Sequence, residues 1–205
     1  MLTDIKSLTR EQVESQFKAW NEPAFRVAQL LDWLYARRVT TWDAMTNLPK
    51  TLREKLREKF SLNTLELVRK QGSDDTTQKF LWKLADGQLI ESVLIPARPA
   101  LYGEASDRHT LCISTQVGCA YGCKFCASGL DGWKRNLGVH EIVEQVLAVE
   151  RWSATESLKC SVSSVQSENP GGLKTENLKL ETRPPARLIS NLVIMGMGEP
   201  LANYD

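Results

Sequence analysis

Cys119-Ala120-Tyr121-Gly122-Cys123-Lys124-Phe125-Cys126 sets three thiols at C-x3-C-x2-C spacing on one short stretch of chain. Three thiolates from a single loop hold three irons of a cubane 4Fe–4S cluster and leave the fourth iron open to another ligand. Structural zinc asks for four ligands, usually in paired groups, and His109 and His140 are the only histidines available. A zinc module would need Cys160 to reach the loop, and its position in a polar stretch makes it incidental. The odd total of five cysteines, in a chain without a secretory signal pattern, argues against a disulfide framework and for metal binding in a reducing compartment.

A second constellation is Gly196-Met197-Gly198-Glu199-Pro200, which follows the apolar run 188–195. Glycines at the end of a strand let backbone groups approach a ligand closely, and Glu199 can accept hydrogen bonds from an ammonium. Taken alone, an ordinary strand-to-helix turn explains this motif equally well. Beside the cysteine loop it becomes a candidate binding segment, with Gly198 and Glu199 its contact residues.

The elements that must position these residues follow from periodicity. Asn21-Glu22-Pro23 offers a helix start, and Val27, Leu30, Leu31, Leu34 and Tyr35 recur at helical spacing. A second start, Asn47-Leu48-Pro49, precedes a stripe of Leu48, Leu52, Leu56 and Phe60, with Lys50, Arg53, Lys55, Arg57 and Lys59 on the other faces. Residues 1–62 therefore read as a small helical domain whose basic face is a candidate surface for a phosphate backbone or simply a solvated one. Residues 79–84 and 89–95, around Asp86-Gly87, predict a tight β-hairpin within a connector at 63–108. Residues 109–117 predict a strand running into the cysteine loop, 139–152 a helix, and 188–195 a buried parallel strand. Polar, aperiodic residues 153–187 read as an exposed insertion. The fold class expected is α/β: a helical domain, a β-hairpin, and at 109–205 the start of a partial (β/α) barrel, truncated because about two of its strands are visible.

Composition excludes little but bounds the rest. A net charge of +1 carries no global nucleic-acid footprint, so any RNA contact must be local. No stretch has the roughly 18 to 20 apolar residues of a membrane span, so the expected location is the cytoplasm, with no membrane partner.

With these residues in view, the sequence resembles the bacterial-type radical S-adenosylmethionine (SAM) RNA methyltransferases that methylate C2 of adenosine in large-subunit ribosomal RNA and transfer RNA. The likeness rests on residues 25–35, 45–60, 79–84, 90–96, 110–126, Arg135-Asn136-Leu137 and 195–203. It departs at Gly138, where the family has a helix-capping Thr, and in the 153–187 segment. The resemblance implies that the open iron chelates SAM, that an external electron donor of reductase or flavodoxin type feeds the cluster, and that rRNA and tRNA are partners. It implies a carbon-radical route, which suits adenine C2: the position lies between two electron-withdrawing nitrogens and is a poor nucleophile. It further implies that Cys112 is the resolving cysteine and Glu91 the proton acceptor, while the methyl-carrying cysteine belongs beyond residue 205. A buried structural cysteine and a strand-edge glutamate paired with Lys or Arg are the plainer readings of those two positions. Alternating with Leu111 and Ile113, Cys112 faces the other side of its strand; Glu91 shares a face with Leu89, Val93 and Ile95, an apolar setting. Two alternatives stand beside the C2 reading, the related C8 branch and an inactive truncated remnant.

Overall fold

The computed structural model describes residues 2–73, 76–97, 108–165 and 184–204, with the backbone alone at 158–165. The first layer is helical. Thr9 opens α1 (Arg10–Ala19) with a complete capping box: its side chain accepts from Gln12 N–H, and the Gln12 side chain accepts from Thr9 N–H. Next come α2 (Phe25–Leu31), which runs into a π-turn at Asp32–Ala36, and α3 (Lys50–Lys59), entered through Pro49. Leu52 and Leu56 of α3 pack with Phe17, Leu30, Leu34, Met45 and Phe60 into one apolar cluster. Residues β1 (Thr3–Asp4) and β2 (Phe60–Ser61) pair in parallel and tie the two ends of this layer together.

The second layer is a five-stranded sheet: β3 (Glu66–Gln71), β4 (Gln78–Lys83), β5 (Leu89–Pro96) and β6 (His109–Cys112), antiparallel in sequence, with β9 (Asn191–Val193) added in parallel to β6. The β4–β5 turn uses Gly87 at φ +83°, a left-handed conformation that glycine adopts without strain. Ile90, Ser92 and Leu94 turn one way, onto the helix α4 (Val139–Val165); Leu89, Glu91, Val93 and Ile95 turn the other. The α4 face is packed, with Phe80 stacked on Trp82 at 5.4 Å and edge-on to Trp152 at 5.0 Å. It is also pinned by polar bonds: Trp82 Nε1 donates to Ser92 Oγ, Ser92 Oγ donates to Gln145 Oε1 at 2.9 Å, and the Gln145 amide brackets both the N–H and the C=O of Ser114.

Several expectations are corrected. The 109–117 strand is broken, because β7 (Gln116–Val117) leaves β6 to pair with β8 (Arg135–Asn136). The helix read as ending near 152 continues to Val165, so the first part of the segment taken as an exposed insertion is helical; residues 166–183 lie outside the described ones. Run 188–195 is regular only over β9, and Leu192, Ile194 and Met195 are exposed, so this strand is parallel but not buried. On α3 much of the basic stripe is paired within the helical layer, and both readings of that face stand. Arg57 holds both carboxylate oxygens of Asp43 at 2.9 Å, Arg53 donates to Asp43 O, Lys55 meets Glu22 and Lys50 meets Glu54. Among the described residues no helix is long and apolar enough to cross a membrane.

The layers meet across α4 through buried charge. Lys6 Nζ lies 3.2 Å from Glu144 and 3.6 Å from Asp4, and donates to Asn63 O at 2.5 Å. Arg38, held at φ +57°, pairs with Glu150 at 3.4 Å, and Glu150 also accepts from the N–H groups of Leu188 and Ile189.

Candidate functional site

The cysteine loop is a closed excursion. Its neck is the β7–β8 pair, reinforced by Lys134 N–H to Val117 O at 3.0 Å and Leu137 N–H to Thr115 O at 2.9 Å. Gly118 enters the loop at φ +74°, and a Cβ there would stand 1.9 Å from Gly132 O, so the close crossing requires glycine. Beyond the neck Cys119 and Cys126 are half-buried and Cys123 is exposed; none is in a disulfide. Cys126 N–H donates to Cys123 O at 3.1 Å, which folds the last turn of the motif. Hydrogen bonds from the Ser128 backbone and side chain lower the Cys126 thiol below its ordinary value, favouring the thiolate that ligates metal. Among the described residues no three His, Cys, Asp or Glu side chains stand as a ready-made metal cage. The donor set nonetheless fits a three-thiolate cluster: three free thiols, one loop, outward access and a rigid base.

Residues 194–199 lie close against the strand that leads into the cysteine loop. A Cβ on Gly196 would meet the Ile113 backbone at 2.6 Å, and one on Gly198, at φ +102°, would meet Gln116 Cβ at 2.6 Å. The glycines are spent on packing against the strand end that leads into the cysteine loop. Met197 O accepts from Thr115 N–H and Gln116 N–H, Gly196 N–H donates to Ile113 O, and Met197 N–H donates to Ser114 Oγ. Glu199 caps the turn Pro200–Asn203, accepting from Leu201 N–H at 3.3 Å.

On the open face of the sheet, Cys112 sits opposite Val93 in the β5–β6 register, one pleat from Glu91. Cys112 is buried. Desolvation pushes its thiol up, with a hydrogen bond from the Met195 backbone only partly offsetting it. Glu91 is not in a purely apolar setting: it is half-buried and ion-paired with Lys79 at 2.9 Å. A cavity of about 520 Å³ is lined by Glu91, Lys79, Gly118, Ser128 and Met197, so the base candidate, the entry and exit of the cysteine loop and the glycine segment share one concavity.

Sequence reasoning missed the polar side chains that join these pieces. Gln116, fully buried, accepts from Ala120 N–H at 3.0 Å and Glu199 N–H at 3.1 Å, and donates to Asn136 Oδ1 at 2.8 Å. Asn203 donates to Thr115 O and Leu137 O. A buried glutamine has no periodic signature, and only its place three residues before the first cysteine could have drawn notice.

The fold has a counterpart among solved structures. A solved structure described as a radical SAM methyltransferase from Sphaerobacter thermophilus matches with a TM-score of 0.70 at 36% identity, covering 98% of this chain and 49% of that one. Residues 3–62 match the ribosomal RNA large subunit methyltransferase N-terminal domain. The probable dual-specificity RNA methyltransferase RlmN of Akkermansia muciniphila is 43% identical over 98% of this chain and 47% of its own length; a similarly named protein of Opitutus terrae is 44% identical over 96% and 47%. Over nearly its whole length the chain is similar to these RlmN proteins, and it spans about half the length of the curated relatives it matches.

Proposed function

We propose that this chain is the cluster-bearing half of a radical SAM methyltransferase that places a methyl group on C2 of adenosine in large-subunit rRNA and tRNA, with the remainder of the barrel supplied by sequence beyond it. In this reading Cys119, Cys123 and Cys126 hold a 4Fe–4S cluster, SAM binds its open iron, and an external reductase or flavodoxin is the electron donor. The cluster, when bound, supplies the electron for reductive cleavage of SAM. The observation that supports the reading is the shared concavity: Gly118, Ala127 and Ser128 of the cysteine loop, Met197 of the Gly-Met-Gly-Glu segment and Glu91 line one cavity.

The chain's own residues have defined tasks. Gly198 and Glu199 offer a backbone edge and a carboxylate to the amino group of SAM. Glu91 receives the C2 proton of the base, with Lys79 orienting its carboxylate. Cys112, on the same face, would attack the sulfur of the methyl-carrying cysteine that the resemblance implies, forming a disulfide as the bond from that sulfur to the methyl carbon breaks and the carbon, left on the base, takes up a proton. Because burial raises the Cys112 thiol, it is held protonated until a base on the open face removes its proton.

Anaerobic reconstitution followed by electron paramagnetic resonance of the reduced protein tests the assignment. About four irons per chain and a spectrum perturbed by SAM are expected. A protein that retains zinc, or no metal, overturns it.

A further inference from the structure

We propose that Gln116 is a positioning residue that sets the cysteine loop in register with the Gly-Met-Gly-Glu segment, and so places the open iron against the group that holds the amino end of SAM. The proposal rests on the functional reading above and adds a residue to which that reading assigns no task.

The geometry is specific. One oxygen, Oε1, accepts from two backbone donors that belong to the two separate loops: Ala120, next to the first cysteine, and Glu199, the ammonium-binding candidate. An amide oxygen has two lone pairs, and both are used. The nitrogen end donates to Asn136 on β8, at the neck of the cysteine loop, and Asn136 in turn donates to Ala202 O beyond Glu199. The stem is fixed as well, since Gln116 N–H donates to Met197 O and the Gln116 Cβ fills the space that a side chain at Gly198 would occupy. The Gln116 side chain is fully buried, and its three bonds are part-buried. Two loops that are 80 residues apart in sequence thus have their separation set by the length of one side chain. Groups that orient metal-ligating residues without touching the metal typically change binding or activity by about 10–100-fold when removed.

The test uses the full chain with Gln116→Leu, which keeps bulk and removes every polar bond, and Gln116→Glu, which keeps both acceptor sites. Without any cofactor, amide hydrogen exchange of Ala120 and Glu199 should accelerate in Gln116→Leu and stay near wild type in Gln116→Glu, while α3 amides are unchanged in both. After reconstitution Gln116→Leu should keep its iron, yet need roughly 10–100-fold more SAM to perturb the resonance spectrum, and Gln116→Glu should recover most of that loss. If Gln116→Leu fails to fold, Gln116→Asn, one methylene too short to bridge, takes its place. Variants that bind SAM like wild type, or that lose iron and α3 protection together, overturn the proposal. Should wild type itself take up no cluster, the functional reading falls, and the exchange of Ala120 and Glu199 alone still decides whether Gln116 is the bridge.

Discussion

The helical layer and the sheet layer hold themselves together differently. In the first, Ile5, Val13, Phe17, Leu30, Leu52 and Leu56 are sealed to a few per cent exposure or less, and Lys50, Arg53, Lys55 and Arg57 of α3 are met by acids of the same layer. In the second, one face of the sheet is sealed by α4 while the other carries Lys79 and Glu91 towards a concavity, and the loops around it expose Phe125, Leu130 and Met195. Each layer has its own apolar cluster, and in the second, buried polar groups such as Gln116 also fix loops around the concavity. This division allows the site to be altered without unfolding the scaffold.

The largest break should come from the thiols. Replacing Cys119, Cys123 or Cys126 by Ala should take bound iron from about four per chain to nearly none, and leave the thermal midpoint of the apo-protein within a degree or two, since these side chains lie outside both apolar clusters. An apo-protein that melts much earlier would show that the loop supports the fold. Next in size is the seam between layers. Lys6→Met leaves the Asp4 and Glu144 carboxylates buried without that cation, and should cost about 3–5 kcal/mol in urea unfolding, against almost nothing for Arg10→Met at an exposed pair. Equal costs would erase the distinction between buried seam and surface.

A smaller effect belongs to Arg135, which makes two 2.8 Å bonds to Glu141 and one to Asp86. Burial pushes the Glu141 carboxyl up, but Arg135 and the Gly138 N–H outweigh it and hold the carboxyl below the ordinary range. A folded value below the unfolded one means stability that is fully present above about pH 4.3 and is lost as pH falls through the folded value. Arg135→Met should therefore destabilise by about 1–2 kcal/mol at neutral pH and flatten the acid side of the stability profile. An unchanged profile would remove this pair from the account. The smallest effect is at Gly138, where the helix keeps half a capping box, the Glu141 carboxylate accepting from Gly138 N–H at 2.9 Å. Gly138→Ser restores a side-chain acceptor and should gain only a few tenths of a kcal/mol, offset in part by crowding of the His140 ring at 3.0 Å.

What the sequence revealed followed from how local each signal is. The thiol spacing is complete within eight residues, and α3 carries its stripe in plain helical period. The capping box of α1, Thr9-Arg10-Glu11-Gln12, is a local signal without a long apolar period behind it, because only Val13 and Phe17 of that helix are buried. Strand β3 had no alternation to read, since nearly all of Glu66–Gln71 is exposed. Residues 188–195 looked buried because an apolar run does not tell a two-sided neighbourhood from a one-sided one. At the site, cysteines and glycines declare their chemistry by type, whereas Gln116, Asn136 and Asn203 acquire theirs only when distant backbones converge.

The narrow neck of the cysteine loop has a consequence for how the protein matures. Since β7 and β8 close the excursion at its base, with Cys123 exposed and Cys119 and Cys126 half-buried beyond it, a cluster held by these thiols should be inserted after the chain has folded and rebuilt without reopening the core. Repair should then run in folded protein at a rate indifferent to mild denaturant, and a rate that climbs with urea would mean that assembly has to wait for unfolding.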